Sequence, residues 1–227
     1  RLAWHVARAL EWLRRADAGC LVADGDPFEL PHFRPDPNEP IVAFCEDVSS
    51  FDLWSQIDTD YGYASLRELR GNSQVLLIEE FRDSADDVLA RPRWSPVGDG
   101  DVVVGLWIRV GTLPVLEGWE APMTWGQLLE AADMGNGGLL RRAQRLASRL
   151  RDAGRHPALI GFPIPRTFGG PAAQIHWQAI RLPILASGSQ KANGFRNDKR
   201  GRWAYDRLHG LHNRKRITWM RSENWSQ

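Results

Sequence analysis

Two apolar runs on either side of a Gly-Gly-Pro turn restrict the fold of this chain more than any other feature. The first run spans residues 159–165 and the second residues 175–183, with the turn at Gly169–Pro171. Short apolar runs bounded by Gly and Pro are typical of β-strands, so the sequence predicts a β-hairpin. Proline has no backbone N–H to donate to a ladder. Pro163 and Pro165 therefore predict either an edge strand or a strand that leaves the sheet.

The second run carries His176 and Trp177, which a purely structural hairpin does not need. Side chains alternate along a strand, so one of the two faces the core and the other does not. His176 is a weak candidate for a general base, because no nucleophile motif and no metal-ligand spacing accompanies it. A structural histidine bonded to a backbone carbonyl is the favoured alternative, and no metal site is predicted.

An apolar edge strand invites pairing with another protein segment, so a docking surface is the preferred functional interpretation of the hairpin. The alternative is an edge covered by the chain's own linker. The residues assigned to this docking surface are Phe162, Pro163, Pro165, His176 and Trp177.

The remaining pattern predicts an α+β fold with a mainly antiparallel sheet. Short turns join the predicted strands at about 41–45, 74–81 and 102–110, while the helices are grouped instead of alternating with strands. A helix pair is expected at about 125–134 and 139–152, and the first member opens with a Thr124…Gln127 capping box. An amphipathic helix and a Pro-rich strap precede this domain.

Four segments follow from these patterns. Residues 1–18 are predicted to be the trailing helix of a preceding domain. Residues 19–40 are predicted to be a Pro-rich linker, which we call the strap. Residues 41–190 form the α+β domain, and residues 191–227 a basic tail that leads to a following domain. Eleven tryptophans predict a Trp-rich core. Two widely spaced cysteines indicate a reducing cytoplasm, and the longest apolar runs are too short for a membrane span.

The basic tail supports an alternative function. Ten basic residues stand against two acidic ones between Lys191 and Arg221, a net charge of +8 in a chain whose total is +1. Aromatic residues interleaved with basic ones are typical of modules that bind single-stranded nucleic acid. The same pattern also describes a half-buried surface helix. The residues of the nucleic-acid alternative are Arg200, Arg202, Trp203, Arg214, Lys215 and Arg216.

Cofactor and thiol chemistry are not predicted in this segment. Gly135–Gly138 lacks the Lys-Ser/Thr of a phosphate-binding loop and lies between predicted helices. Cys45 precedes Glu46 and Asp47, whose charges disfavour a thiolate. A stand-alone hydrolase built on His176 would need a nucleophile or a carboxylate beside that ring.

Several stretches resemble the middle segment of bacterial fusion proteins that join a ubiquitin-conjugating-like (UBC) domain to a ThiF-type, ubiquitin-activating-like domain. These stretches are residues 8–13, 25–31 and 121–126 together with the hairpin, and the closing Ser222–Trp225 resembles the entry to the adenylating domain.

The resemblance implies a non-catalytic connecting or docking domain in a cytoplasmic protein that attaches ubiquitin-like modifiers, often beside antiphage genes. Its implied partners are the flanking conjugating-like and activating-like domains and a ubiquitin-like modifier; nucleic acid and membrane are not among them. ATP is implied only for a following ThiF-like domain. The family's catalytic cysteine motif and Gly-rich ATP site are not found in this sequence, so no catalytic residue is carried over, and any enzyme activity of the parent protein would lie in the neighbouring domains.

Overall fold

The computed structural model describes residues 2–20, 22–69, 72–93, 100–132, 146, 156–182 and 216–225. Three α-helices lie in these ranges: α1 (Leu2–Asp17), α2 (Phe51–Ser55) and α3 (Trp125–Ala131). A short 3-10 helix, Glu46–Ser49, precedes α2. The strands are β1 (Ile41–Cys45), β2 (Tyr61–Leu69), β3 (Asn72–Arg82), β4 (Val88–Ala90), β5 (Val102–Arg109), β6 (Pro157–Pro165), β7 (Ala172–Arg181) and β8 (Ser222–Trp225).

The described strands form one 8-stranded sheet in the order β7-β6-β5-β2-β3-β1-β8, with β4 paired to β3 off this path. The predicted α+β class is confirmed, but the sheet is mixed. Antiparallel pairing joins β6–β7, β2–β5, β2–β3 and β3–β4, whereas β1–β3, β1–β8 and β5–β6 are parallel. A parallel pair needs a long crossover connection, and between β5 and β6 the chain that includes α3 supplies it.

Strand β6 lies inside the sheet, between β5 and β7, so the edge-strand alternative for it is wrong. Its pairing with β5 runs from Ala158 to Gly161 and then stops. Pro163 and Pro165 lie beyond that point and pair only with β7. The departing-strand alternative is therefore the correct one, because the prolines occupy the half of β6 that has lost one neighbour.

The closing segment, defined as residues 216–225 and including β8, bonds to strands far apart in the sheet order. The Met220 N–H donates to the Ala179 carbonyl at 3.0 Å, and the Arg181 N–H donates to the Thr218 carbonyl at 3.0 Å, both along β7. The segment continues as β8, which pairs in parallel with β1. Residues of the predicted tail thus satisfy backbone groups at β7 and β1, which covers edges that would otherwise be open.

The sheet packs around tryptophan on one face, which we call the inner face. Trp54, Trp107 and Trp177 are fully buried there beside Phe81. The ring centroids of Trp54 and Trp177 are 4.8 Å apart, and those of Trp54 and Trp107 are 5.2 Å apart, both in edge-on geometry. Such aromatic pairs stabilise by roughly 0.5–1.5 kcal/mol beyond the area that they bury. The predicted Trp-rich core is confirmed.

A second cluster covers the other, outer face of β5, β6 and β7. It includes Phe33 from the strap, Trp125 and Leu128 from α3, and Trp219 from the closing segment. The predicted capping box begins α3: the Gln127 N–H donates to Thr124 Oγ1 at 3.2 Å, and the Thr124 N–H donates to Gln127 Oε1 at 3.0 Å. The second predicted helix, 139–152, lies outside the described residues except Leu146, which is helical and buried.

Arg109 at the end of β5 fixes the short helix α2. Its guanidinium donates to the carbonyl of Trp54 in the last turn of the helix and, at 2.7 Å, to the carbonyl of Ile57 just beyond it. It also pairs with Asp60 at 3.0 Å. A cation that satisfies the free carbonyls at a helix C-terminus stabilises that end. This arrangement holds Trp54 in the aromatic cluster.

The N-terminal helix α1 is amphipathic, as predicted, but its apolar stripe has no partner in the described part of the chain. No residue of α1 is buried. Within the described ranges, none of the helices combines the length and the hydrophobicity needed to cross a bilayer. The large apolar side chains exposed on α1 are Leu2, Trp4, Val6, Leu10, Trp12 and Leu13.

Candidate functional site

The β6–β7 hairpin is regular along its strands and tightly turned at its tip. Its register places Gly161 opposite Trp177 and Phe162 opposite His176. Gly169 in the turn has a φ of 73°, a conformation that favours glycine. The predicted hairpin, with its Gly-Gly-Pro turn, is confirmed.

Segments at both ends of the described fold are bonded to this hairpin. At its tip, Pro27 in the strap forms an antiparallel bridge with Thr167, and the Phe168 N–H donates to the Asp26 carbonyl at 2.9 Å. Along β7, the closing segment bonds to Ala179 and Arg181, as described above. The hairpin therefore fixes where the chain enters the sheet and where it leaves.

Phe162 and Trp177 of the predicted docking surface are both fully buried, on opposite faces of the sheet. Trp177 lies among the rings of Trp54, Phe81 and Trp107. Among the described residues its indole N–H has no hydrogen-bond acceptor. Both side chains act in the core, and a partner on this hairpin would meet neighbouring groups first.

His176 lies on the outer face, between two phenylalanines. Its ring centroid is 5.2 Å from that of Phe162 and 5.6 Å from that of Phe44. Its Nε2 approaches Gln178 Oε1 at 3.5 Å, a side-chain amide where a backbone carbonyl was expected. Burial lowers the pKa of His176 to about 4, against the smaller opposing effect of the Gln178 contact. At neutral pH the imidazole is uncharged and a weak base.

No nucleophile or carboxylate is among the contacts that the structure describes for His176. These surroundings favour a packing role for the ring. The part of the predicted surface that reaches solvent consists of Pro163, Pro165 and His176, which are half-buried. Docking at this hairpin stays a prediction.

The residues of the nucleic-acid alternative lie mostly outside the described ranges, namely Arg200, Arg202, Trp203, Arg214 and Lys215. Arg216 is described. It is exposed and forms an antiparallel bridge with Thr124, ahead of α3. Binding of nucleic acid through the basic tail stays a prediction.

Cys45 is a buried cysteine at the end of β1, and Cys20 is exposed. Burial raises the pKa of the Cys45 thiol, and a hydrogen bond with the Asp47 carboxylate raises it further. Asp47 Oδ2 accepts the Arg93 backbone N–H at 2.8 Å. A thiol of this kind is a poor nucleophile at neutral pH. Within the described ranges, no three His, Cys, Asp or Glu side chains meet in a metal-ligating group.

An aromatic cluster at the hairpin tip was missed by the sequence analysis. Phe28 from the strap, Trp119 from the turn at residues 116–120 and Phe168 from the hairpin turn meet there, and we call these three residues the aromatic tip. Their ring centroids are 5.1–5.9 Å apart. Large aromatic residues next to turn glycines, here Gly118 and Gly169, were the available signal.

These features define an α+β domain built on a mixed sheet, with the strap and the closing segment both bonded to one hairpin. The chain belongs to the Cap2 central linker domain family, whose model matches residues 19–225. It is also similar to a protein of Enterobacter hormaechei subsp. hoffmannii (strain UCI 50), named ATP-dependent ubiquitin transferase-like protein Cap2, with 30% identity over 240 residues. That alignment covers 100% of this chain and 38% of the relative, so the chain spans about two-fifths of the length of the curated protein it matches.

Proposed function

We propose that this chain is the non-catalytic connecting domain of a protein that attaches a ubiquitin-like modifier. A conjugating-like domain would be held on the side of α1, and an activating-like domain of the ThiF type would follow β8 and supply the ATP site. The name of the relative, a ubiquitin transferase-like protein, supports this assignment. The cytoplasmic location and the antiphage setting that the resemblance implies belong to the same proposal.

The observation that carries the proposal is the anchoring of both ends of the family-matched region on one sheet. At the entering end, the Asp36 N–H donates to the Trp219 carbonyl at 2.9 Å, and Glu39 forms an ion pair with Arg181. At the leaving end, β8 pairs with β1. Backbone pairing of this kind removes free rotation between entry and exit, which is what a fixed spacer requires and a flexible linker lacks.

The helix α1 supports the proposed position of the preceding conjugating-like domain. It precedes the family-matched region, which begins at residue 19. Its apolar stripe is exposed, with Leu2 at 79% and Trp4 at 59% of their full accessible surface. A helix with such a stripe normally buries it against another element. We assign that stripe to the core of the preceding conjugating-like domain.

The docking role is the finer part of the proposal. The exposed parts of Pro163, Pro165 and His176 would contact the modifier or its target. Pro163 and Pro165 occupy the half of β6 that pairs with β7 alone, and His176 lies on β7 opposite Phe162. No described strand covers the β5 side of that half of β6. An incoming segment can approach a strand end of this kind.

The test uses the full-length protein that contains this chain and separates two reactions. Residues 19–225 are replaced by a Gly/Ser linker, and ATP-dependent modifier activation and modifier transfer are then measured. We expect activation to persist and transfer to fall at least tenfold, because the two sites lose their fixed geometry. Unchanged transfer would contradict the connecting role, and loss of activation would contradict the non-catalytic assignment.

A second comparison isolates the hairpin surface. The variant Pro163→Ser/Pro165→Ser/His176→Gln changes the exposed groups and leaves Phe162 and Trp177 in place. Pro37→Ser, an exposed strap position, is the matched control. Docking predicts weaker transfer with an unchanged melting temperature in the triple variant only. Equal transfer by both variants would remove the docking role and leave the connecting role standing.

A further inference from the structure

The aromatic tip is an exposed surface that the core does not require. Trp119 is 42% exposed although its ring contacts Phe28 and Phe168. Its φ is 64°, a left-handed conformation that is unfavourable for a bulky aromatic residue. Neither Trp119 nor Phe168 belongs to the buried clusters, and Phe28 only borders one. Truncating Trp119 should therefore leave the core intact.

The charge around the aromatic tip is strongly negative. Five acidic residues lie in the three chain segments 24–29, 116–120 and 166–170 that form the tip, and the Asp24 carboxylate lies against Gly169 of the turn. None of the five forms an ion pair with a described residue. Arg166 is the one basic residue in the three chain segments 24–29, 116–120 and 166–170. The five carboxylates belong to Asp24, Asp26, Glu29, Glu117 and Glu120.

We propose that the aromatic tip is a docking surface for an extended peptide segment of a partner protein that carries Lys or Arg beside an apolar residue. Exposed Trp and Phe faces attract such cations through their π-systems, and the surrounding carboxylates add to that attraction. The apolar neighbour of the cation would pack on the ring edges of Phe28 and Phe168. The same negative charge disfavours nucleic acid and anionic membranes as occupants.

This inference goes beyond the connecting role and does not depend on the hairpin surface proposed above. The aromatic tip combines three segments, whereas the hairpin docking surface lies on β6 and β7. If binding is not found at one of these surfaces, the proposal for the other surface still stands.

The experiment uses the full-length protein and two fluorescein-labelled peptides of equal length, one with alternating Arg and Leu and one with alternating Glu and Leu. Fluorescence anisotropy is expected to show binding of the Arg/Leu peptide only, with affinity that weakens as salt screens the charges. Hydrogen exchange is expected to slow in residues 24–29, 116–120 and 166–170 when that peptide binds.

Two variants locate the contact. Trp119→Ala is expected to weaken binding of the Arg/Leu peptide at least tenfold, and Glu117→Gln/Glu120→Gln to weaken it at low salt. Val88→Ala, which truncates an exposed apolar side chain outside the three segments of the aromatic tip, is the control and is expected to bind as the parent does. Thermal melting of all three variants tests that they fold.

Four results would overturn the proposal: no binding of the Arg/Leu peptide, equal binding of the Glu/Leu peptide, equal loss in Val88→Ala, or selective binding of an oligonucleotide. Analytical ultracentrifugation tests a fifth such result, self-association of the protein. Self-association that disappears in Trp119→Ala would identify a second copy of this protein as the occupant, and the peptide proposal would be wrong.

Discussion

Gly161 faces Trp177 across the β6–β7 pair, and the indole of Trp177 fills the space that a side chain at position 161 would occupy. A Cβ atom built on Gly161 would lie 2.5 Å from Cζ3 of Trp177 and 2.7 Å from Cη2. Non-bonded carbon atoms do not approach so closely. The glycine in the first apolar run and the tryptophan in the second are therefore one packing unit, and this unit sets the position of the hairpin in the core.

Gly161→Ala is expected to destabilise the fold by about 2–3 kcal/mol, because Trp177 is fully buried and has no space into which it can shift. Chemical denaturation measures the loss. Gly111→Ala is the matched control, since nothing lies within 4 Å of a Cβ at Gly111. Equal stability of the two variants would show that Trp177 is not confined as described.

Trp219→Ala is expected to cost about 3–5 kcal/mol, the range for truncating a buried aromatic side chain. The indole N–H donates to the Pro122 carbonyl at 2.9 Å, and the ring lies 4.8 Å from that of Phe33. The substitution thus loosens the closing segment from both the strap and the chain before α3. Val88→Ala truncates an exposed side chain and should change the free energy of unfolding by less than about 0.5 kcal/mol. A Trp219→Ala protein as stable as Val88→Ala would contradict the anchoring role of the closing segment.

Glu39→Gln is expected to loosen the strap. Arg181 donates from Nε to both carboxylate oxygens of Glu39, at 3.0 and 3.3 Å, and both side chains are mostly buried. Losing the charge on Glu39 should lower stability by about 1 kcal/mol and speed hydrogen exchange in residues 36–42. Glu46→Gln, at an exposed position, is the control. Unchanged exchange in the strap would show that the ion pair does not hold it.

His176 makes stability depend on pH in a defined direction. Its pKa in the folded protein is about 4, below the usual value of 6.5, so the unfolded chain takes up a proton first as the pH falls. Stability is unaffected by this group above about pH 6.5 and declines between about 6.5 and 4, by at most about 1.4 kcal/mol per pH unit. The described groups in contact with the ring are Phe44, Phe162 and Gln178, and none of them titrates.

The check is the difference in unfolding free energy between the parent and His176→Gln as a function of pH. Carboxylates titrate in both proteins and cancel in this difference. We expect the parent to lose stability relative to the variant between pH 6.5 and 4. A difference that is constant with pH would mean that Phe44 and Phe162 do not shield the imidazole from water.

Local patterns in the sequence were sufficient to predict the elements whose formation depends on residues close together in the chain. The hairpin, the Thr124…Gln127 capping box and β1 at residues 41–45 were predicted because turn glycines, cap side chains and short apolar runs act locally. The amphipathic helix at the N-terminus was also predicted, and α1 spans Leu2–Asp17. Each of these predictions needed only a short window of sequence.

The non-local features were not predictable in this way. The parallel pairing of β1 with β3 and β8 joins segments that are distant along the chain, and Ser222–Trp225 has no apolar alternation to identify it as a strand. The aromatic tip brings together Phe28, Trp119 and Phe168, each of which looks like an ordinary loop residue in sequence. Such sites depend on topology, which periodicity does not encode.

We propose that residues 19–225 hold two neighbouring domains at a fixed separation. Pulsed electron–electron double resonance on the full-length protein, with one nitroxide in the preceding domain and one in the following domain, measures that separation directly. We expect a single narrow distance distribution in the parent that broadens in Trp219→Ala. A distribution in the parent as broad as that of the Gly/Ser-linker variant would contradict the fixed separation.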